Sequence, residues 1–212
     1  MDFEEVLVKR RSIRKYLSVP VGREIVSKMI EAGNEAPCAG NIQNWRFLIV
    51  EDEEAKKKIA EACLEQMWIA TAPSIIVICS EMDKIRRNYG LRGEALYSIQ
   101  NCAAAAENMI LMATNLGVST CWVSAFDENA IARVIDLPDN CRPQIVLPIG
   151  YAAEKPIRPM RFSIEDVTYI RTYGGPGKIE FIDTYLRNYH FINRAQKGIK
   201  AWWKGLMERF FK

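Results

Sequence analysis

Residues 74–80 read SIIVICS, an uncharged run rich in β-branched side chains. A short apolar run of this kind predicts a β-strand that is buried on both faces. Three other segments have strand character, and we expect them to join the same sheet. They are WRFLIVED (45–52), STCWVSAF (119–126) and RPQIVLPIG (142–150).

Helical patterns separate these strands, but they do not alternate with them strictly. The order therefore predicts an α+β fold, in which helices flank a central sheet. The longest predicted helix, residues 94–116, is apolar on most sides, so it must be buried in a core or against a second subunit. Residues 84–93 are polar and contain two glycines, which predicts a surface loop. The other predicted helices are residues 2–9, 19–33, 53–70 and 128–135.

Composition excludes several classes of protein. The chain has 212 residues and a formal charge of +3, which fits one domain or one domain with an elaborated end. Its start lacks the apolar middle of a secretory signal, and it has no run of eighteen apolar residues, so we expect a cytoplasmic protein. Six cysteines without a C-x-x-C pair and a single histidine, His190, predict no metal site. We expect His190 to pack rather than to catalyse.

The most basic short segment is KRRSIRKY (9–16), in which five of eight side chains are cationic. It could be a solvated charge run or a patch for targeting or nucleic-acid binding. It could also bind a phosphate, because guanidinium groups form bidentate bonds to phosphate oxygens and a serine hydroxyl adds a neutral donor. Arg10, Arg11, Ser12 and Arg14 are the candidates.

Two other segments have related chemical character. APCAGNIQNW (36–45) offers Asn41 and Gln43, whose amides both donate and accept hydrogen bonds, and LPIGY (147–151) places a glycine at the end of a strand. Amide side chains of this kind suit a chain of hydroxyls or the edge of a heterocyclic ring. A ligand that combines a phosphate group, a chain of hydroxyls and such a ring is FMN. Each segment alone also has a purely structural interpretation. The segment GGPGK (174–178) fails the P-loop pattern, and no G-x-G-x-x-G is present.

Taken in order, these segments resemble the nitroreductase family of FMN-dependent oxidoreductases. RRSIRKY matches the opening phosphate motif of that family, and APCAGNIQNW resembles its A-P-S-x-x-N-x-Q-P-W loop. LGVSTCWVSAFDENAI (116–131) resembles the central G-x-G-T-C-W block, and LPIGYAAEKPIRPMR (147–161) the P-x-G-Y segment followed by arginine. Order and intervals agree over about residues 2–169.

The resemblance implies a mostly antiparallel sheet flanked by helices, in an entwined homodimer with a C-terminal arm. It implies an FMN-binding domain over residues 1–173 and a basic amphipathic extension over 174–212. Flavin sites at the subunit interface would bring the loop of one subunit to the flavin of its partner. The long helix 94–116 would then bury one face in its own core and another against that partner.

The family's motifs also imply a set of site residues. Arg10, Arg11 and Ser12 would bind the FMN phosphate, while Arg14 would reach the ribityl or pyrimidine side and stabilise negative charge there. Gly150 would direct a backbone N–H toward the flavin N5 atom, so Arg14 and Gly150 are the implied catalytic residues. The remaining implied cofactor contacts are Pro37, Cys38, Ala39, Asn41, Gln43, Pro148, Ile149 and, as rivals for the phosphate, Arg158 and Arg161.

Two residues depart from the family's pattern. Cys38 stands where Ser or Thr is commoner, and Asn44 stands where Pro is usual. We expect Cys38 to contact the flavin through its backbone. We expect Asn44 to relax the loop that enters the first strand.

The implied activity is an FMN-dependent NAD(P)H oxidoreductase. NADH or NADPH would pass hydride to the flavin and leave, and a nitroaromatic, quinone or similar small acceptor would then take its place, giving ping-pong kinetics. Tyr89 and Arg92 are the candidates for contact with the acceptor. The alternatives are a flavin-binding or peripheral membrane module with little turnover, or a dehalogenase or flavin-processing enzyme of the same fold.

The C-terminal tail carries the basic excess. Residues 186–212 hold seven Lys or Arg against one Glu, a net +6, so the rest of the chain carries −3. This acidic balance argues against nucleic acid as a partner. The tail has an apolar helical stripe that includes Trp202, Trp203 and Phe210. We expect it to pack on the body or the partner subunit, with anionic lipid as the alternative surface.

Overall fold

The structure, a computed structural model, describes residues 1–175. The helical elements follow the predicted order closely, and a 3₁₀ turn, Met67–Thr71, precedes β2. The helices are α1 (Phe3–Lys9), α2 (Arg23–Asn34), α3 (Glu53–Ala62), α4 (Met82–Arg92), α5 (Ser98–Asn115) and α6 (Glu128–Val134). The strands are β1 (Trp45–Val50), β2 (Ser74–Glu81), β3 (Ser119–Thr120) and β4 (Cys141–Gly150).

The strands form one antiparallel sheet in the order β1-β2-β4-β3. The central strand β2 is the run SIIVICS with one further residue, and it is buried on both faces as predicted. The pairing of β2 with its neighbours shows which residues lie together at each end of the sheet. Ser80 pairs with Trp45 at the start of β1, and Ser74 pairs with Ile149 near the end of β4.

Helices cover both faces of this sheet because side chains alternate along β2. Ile76 and Ile78 pack against α2 and α5 in one apolar cluster. Ile75 and Val77 pack against α3 and α6 in the other. The predicted α+β arrangement of a sheet between helices is confirmed.

Three predicted elements differ from the structure. The predicted helix 53–70 ends at Ala62, because Leu64 and Glu65 both have a left-handed φ of 57°. Residues 84–93 lie almost wholly in the helix α4 rather than in a loop, because ion pairs such as Lys84–Glu81 and Arg86–Glu94 support a helix that has little apolar surface. The helix is kinked at Gly90, whose φ of 57° is left-handed. The predicted strand 119–126 pairs with β4 only at Ser119 and Thr120, which form β3, and at Val123, which forms an isolated bridge with Val146.

The chain divides into a compact unit, Met1–Ile157, and a second unit that begins at Arg158. Within the second unit a turn near Asp166 is followed by two tyrosines, Tyr169 and Tyr173, whose rings lie 4.7 Å apart between centroids. No helix in the described part of the chain is both long and apolar enough to cross a membrane. The amphipathic tail and His190 lie outside the described residues.

Candidate functional site

The basic segment runs along the edge of the sheet, beside β3 and the residues that follow β4. The Ile13 N–H donates to the Thr120 carbonyl at 3.0 Å, and the Leu17 N–H donates to the Tyr151 carbonyl at 2.9 Å. The Ala153 N–H donates in turn to the Lys15 carbonyl at 2.9 Å. Backbone hydrogen bonds therefore bring the first, third and fourth motifs to one end of the sheet.

The three arginines of this segment have different surroundings. The half-buried guanidinium of Arg10 forms no ion pair with a carboxylate among residues 1–175. Arg11 donates from Nη1 to the carbonyl of Val8, in the last turn of α1, at 2.6 Å. Arg14 is exposed and lies over the Trp68 ring, 5.8 Å from its centroid. Arg11 is thus tied to α1, whereas the side chains of Arg10 and Arg14 pair with no carboxylate in residues 1–175.

A buried tyrosine joins the basic segment to β4. The Tyr16 hydroxyl donates to the Ile13 carbonyl at 2.7 Å and lies 3.4 Å from the Pro148 carbonyl. Burial raises the pKa of Tyr16 far above its usual range, and the nearby Cys121 and Glu154 act in the same direction while Arg14 opposes them. Tyr16 therefore holds the segment as a neutral hydrogen-bond donor.

Cys121 lies beside the predicted phosphate-binding residues. Burial raises the pKa of its thiol, which keeps it neutral, and the charge of Arg14 and a hydrogen bond with Ser12 partly offset that effect. The Ser12 backbone also pairs with Thr120 in a parallel bridge. Ser12 is thereby fixed between Arg10 and Arg14, at the point where the predicted anion would bind.

Gly150 has no room for a side chain, and its predicted contact with the flavin stays a prediction. A Cβ at this position would lie 2.7 Å from Pro73 Cδ and 2.9 Å from Tyr16 Cδ1. The chain's own side chains therefore fill the space that a side chain at this position would need. Pro148, Ile149 and Gly150 are all buried.

We expect Gly150→Ala to lower the free energy of unfolding by about 1–3 kcal/mol, because the added methyl would overpack a filled site. Urea denaturation would measure the change. Gly22→Ser is the matched control, since a Cβ at Gly22 meets nothing within 4 Å and serine is a good helix N-cap. Equal stability of Gly150→Ala and the unmodified protein would contradict the packing argument.

The loop motif lies at the other end of the sheet. It leads into Trp45, which pairs with Ser80, whereas β4 ends beside Ser74. Ser74 and Ser80 are six positions apart along β2, a distance of about 20 Å. The loop residues Pro37, Asn41 and Gln43 are exposed, and Cys38 and Ala39 are half-buried. A single chain therefore does not bring the loop to the basic segment.

The predicted acceptor residues lie near this loop. The Tyr89 hydroxyl is 2.6 Å from where a Cβ of Gly40 would stand, so the glycine permits close contact between α4 and the loop. Arg92 donates from Nε to the Tyr97 hydroxyl at 3.1 Å. Both side chains are exposed.

The expectation for Asn44 is wrong. Its side chain is fully buried and donates from Nδ2 to the Ser80 hydroxyl at 2.7 Å, so it anchors the loop rather than relaxing it. The Cys38 thiol accepts a hydrogen bond from the Gln43 N–H at 3.4 Å. The cysteine side chain thus closes its own loop.

Arg158 and Arg161 belong to the second unit of the chain. Arg158 is half-buried and Arg161 is exposed. Their predicted part in phosphate binding stays a prediction.

Sequence reasoning missed several neighbours of the basic segment. Glu154 accepts a hydrogen bond from the Arg14 backbone N–H at 2.6 Å, and Trp68 lies beneath the Arg14 guanidinium. Thr120 and Cys121 could have been inferred, because they fall within the quoted central block. No sequence signal points to Trp68, which is brought there only by the turn before β2.

Comparison with known proteins agrees with this architecture. The sequence matches the description "Nitroreductase family" over residues 7–151. It is 31% identical over 162 residues to a putative NADH dehydrogenase/NAD(P)H nitroreductase of Methanothermobacter thermautotrophicus, which covers 74% of this chain and 80% of that protein. It is 29% identical to a protein named FMN reductase [NAD(P)H] of Bacillus subtilis, covering 79% of this chain and 72% of that protein.

A solved structure shows the same fold. A nitroreductase family protein of Clostridium novyi superimposes with a TM-score of 0.66 at 31% identity, covering 73% of this chain and 87% of that one. The family match over residues 7–151 contains the sheet, helices α2 to α6 and the basic segment.

Proposed function

The chain belongs to the nitroreductase family, and from that membership we propose that it is an FMN-dependent NAD(P)H oxidoreductase. The names of its relatives, NAD(P)H nitroreductase and FMN reductase [NAD(P)H], support this class of activity. One observation carries the proposal: Arg10, Ser12 and Arg14 lie together at one end of the sheet, next to the last residues of β4.

The residues at this end of the sheet fit a flavin nucleotide. Arg10 is half-buried and pairs with no carboxylate in the described part of the chain, so its charge is available to an anion. The Ser12 hydroxyl lies in the same place, beside Cys121. Phosphate oxygens would satisfy both groups, because charge-assisted hydrogen bonds are the strongest that such side chains form.

The chain's own residues would bind and orient the cofactor, while bound FMN would supply the hydride chemistry between NAD(P)H and a small acceptor. Arg10 and Ser12 would hold the phosphate, with Arg11 contributing charge while it caps α1. Arg14 would place a fixed cation near the pyrimidine side, where negative charge is stabilised best by a preorganised group. Pro148, Ile149 and Gly150 would form the floor of the site.

We propose a homodimer as the working form. The loop containing Asn41 lies about 20 Å from the basic segment within one chain, as estimated from the strand rise, so a second subunit would have to supply it. An apolar groove between α1 and α5, lined by residues such as Leu111 and Met112, supports such an association. The exposed Phe3, 63% accessible, lies in the same groove.

We expect the purified protein to bind FMN and to bleach it rapidly when NADH or NADPH is added without oxygen. Added nitroaromatic or quinone should restore the yellow colour, with parallel lines in double-reciprocal plots as ping-pong kinetics require. A colourless protein that takes up no FMN would refute the proposal. Flavin that binds but is not reduced by either nucleotide would instead identify a binding module.

A further inference from the structure

The loop of residues 38–43 has an unusual backbone conformation. Gly40 and Asn41 both have φ of 57°, and Gln43 has φ of 38°. Non-glycine residues pay about 1 kcal/mol or more for such left-handed angles, and they keep them where surrounding structure over-determines the backbone. Something must therefore hold this loop in place.

Contacts inside the loop supply part of that restraint. The Gln43 side chain donates from Nε2 to the Asn41 carbonyl at 2.7 Å, and the Gln43 N–H donates to the Cys38 thiol. These bonds shape the loop, but they do not fix it to the rest of the fold. They leave its position relative to the sheet undetermined.

Asn101 of α5 provides the attachment. Its Oδ1 accepts a hydrogen bond from the Ala39 backbone N–H at 3.0 Å, and its Nδ2 donates to Asn44 Oδ1 at 2.7 Å. Asn44 continues the chain of bonds to the Ser80 hydroxyl of β2. The network thus links the loop at once to a helix and to the central strand.

This network lies in an apolar environment. Asn101 is 3% exposed and Asn44 is fully buried, while their neighbours on α5, Cys102 and Ala105, belong to the apolar core. A buried amide is costly unless its oxygen and nitrogen are both paired, and both amides meet that condition here. Because each bond depends on the next, removing one member leaves the others unsatisfied.

We propose that Asn101 is a positioning residue for the flavin site. Through the Ala39 N–H it sets the conformation of the loop, which in the proposed function contacts the flavin held mainly by the partner subunit. The inference rests on that proposed function. The new element is that a helix residue outside every quoted motif positions the loop for its contact with the cofactor.

Two substitutions test the role of the amide. Asn101→Leu removes both bonds and should weaken FMN binding at least about 10-fold, since a lost buried hydrogen-bond partner has effects of that size. Asn101→Asp keeps an acceptor for the Ala39 N–H, and burial favours the protonated carboxyl, whose O–H can donate to Asn44 Oδ1. It should bind FMN within about 3-fold of the unmodified protein.

A matched control separates positioning from general stability. Asn34 accepts a hydrogen bond from Trp45 Nε1 at 3.1 Å, next to the loop but not within it. Asn34→Ala should leave the FMN affinity unchanged within about 2-fold. If Asn101→Leu does not fold, Asn101→Ala is used in its place, because it removes the same two hydrogen bonds. Loss of FMN binding in a folded Asn101→Asp protein would by itself overturn the proposal.

Mixed dimers give the decisive readout. When Arg10→Ala and Asn101→Leu (or Asn101→Ala) subunits carrying different affinity tags are combined, one of the two sites has both an intact arginine and an intact loop. The purified heterodimer should hold about half the flavin of the unmodified protein, although each variant alone holds little. No recovery in the heterodimer would overturn the proposal.

These outcomes distinguish failure of the inference from failure of the proposed function. If the unmodified protein binds no FMN, the proposed function fails. If it binds FMN and a folded Asn101→Leu or Asn101→Ala protein binds it equally well, the proposed function stands and the role of Asn101 is refuted.

Discussion

Replacing Arg10 by alanine should weaken FMN binding about 10- to 100-fold, because hydrogen bonds to charged groups contribute about 1.5–3 kcal/mol. Arg10 is the best placed of the basic side chains. It is half-buried beside Ser12, and no carboxylate in residues 1–175 competes for its guanidinium. Fluorescence titration of the apoprotein with FMN would measure the dissociation constant.

Arg14→Ala should also weaken FMN binding, but to a smaller extent. Its guanidinium is exposed and already interacts with the Trp68 ring, so solvent screens part of its attraction for the cofactor. Titration with riboflavin, which lacks the phosphate, separates the two arginines. Arg10→Ala should leave riboflavin affinity nearly unchanged, whereas Arg14→Ala should reduce it.

Lys15→Ala is the matched control for both arginines. Lys15 is exposed and its backbone carbonyl, not its side chain, takes part in the sheet edge. Alanine keeps that carbonyl, so FMN affinity should not change. An equal loss on replacing Lys15 would mean that diffuse positive charge, rather than a specific phosphate contact, retains the cofactor.

The sheet could be predicted because its strands carry unambiguous signals. β2 is an uninterrupted apolar run that is buried on both faces, and β1 and β4 have enough β-branched residues to be recognised beside it. α4 could not be predicted in this way, since Ile85 is its one buried residue and the ion pair of Arg86 with Glu94 joins residues eight positions apart. A sequence does not show which charges will face each other.

The same distinction between local and tertiary signals applies to the residues of the candidate site. Arg10, Ser12 and Arg14 can be proposed from the sequence because they lie in one short motif whose residue types suit a phosphate. Asn101 was missed because its importance comes from a bond to Ala39, sixty-two positions away in the chain. Residues that support a site through tertiary contacts leave no local pattern for a sequence-based argument to detect.

The same apolar packing that makes the sheet predictable should make the protein sensitive to alkali. Cys63, Cys79 and Cys102 are free thiols with no exposed surface, and burial raises the pKa of each to about 12 from an ordinary value of 9.0. In the unfolded chain these thiols ionise near pH 9, while in the folded protein they stay neutral. The unfolded state therefore binds fewer protons above pH 9, and the free energy of unfolding must fall as pH rises.

The expected loss is large. Between pH 9 and pH 12 each thiol contributes a decrease of about 1.4 kcal/mol per pH unit, so three contribute about 4 kcal/mol per pH unit. A domain stable by about 5–15 kcal/mol would then unfold within a few pH units above pH 9. Tyr16, whose pKa burial also raises, adds a decrease of the same sign above pH 10.

Urea denaturation at a series of pH values, with a reductant present, would test this dependence. Cys102→Ala should make the fall of stability with pH above pH 9 shallower by about 1.4 kcal/mol per pH unit, because one titrating thiol is gone. Val77→Ala, which truncates another fully buried side chain on β2, should lower stability by the same amount at every pH and leave the slope unchanged. A slope that Cys102→Ala does not alter would show that buried thiols do not cause the alkaline transition.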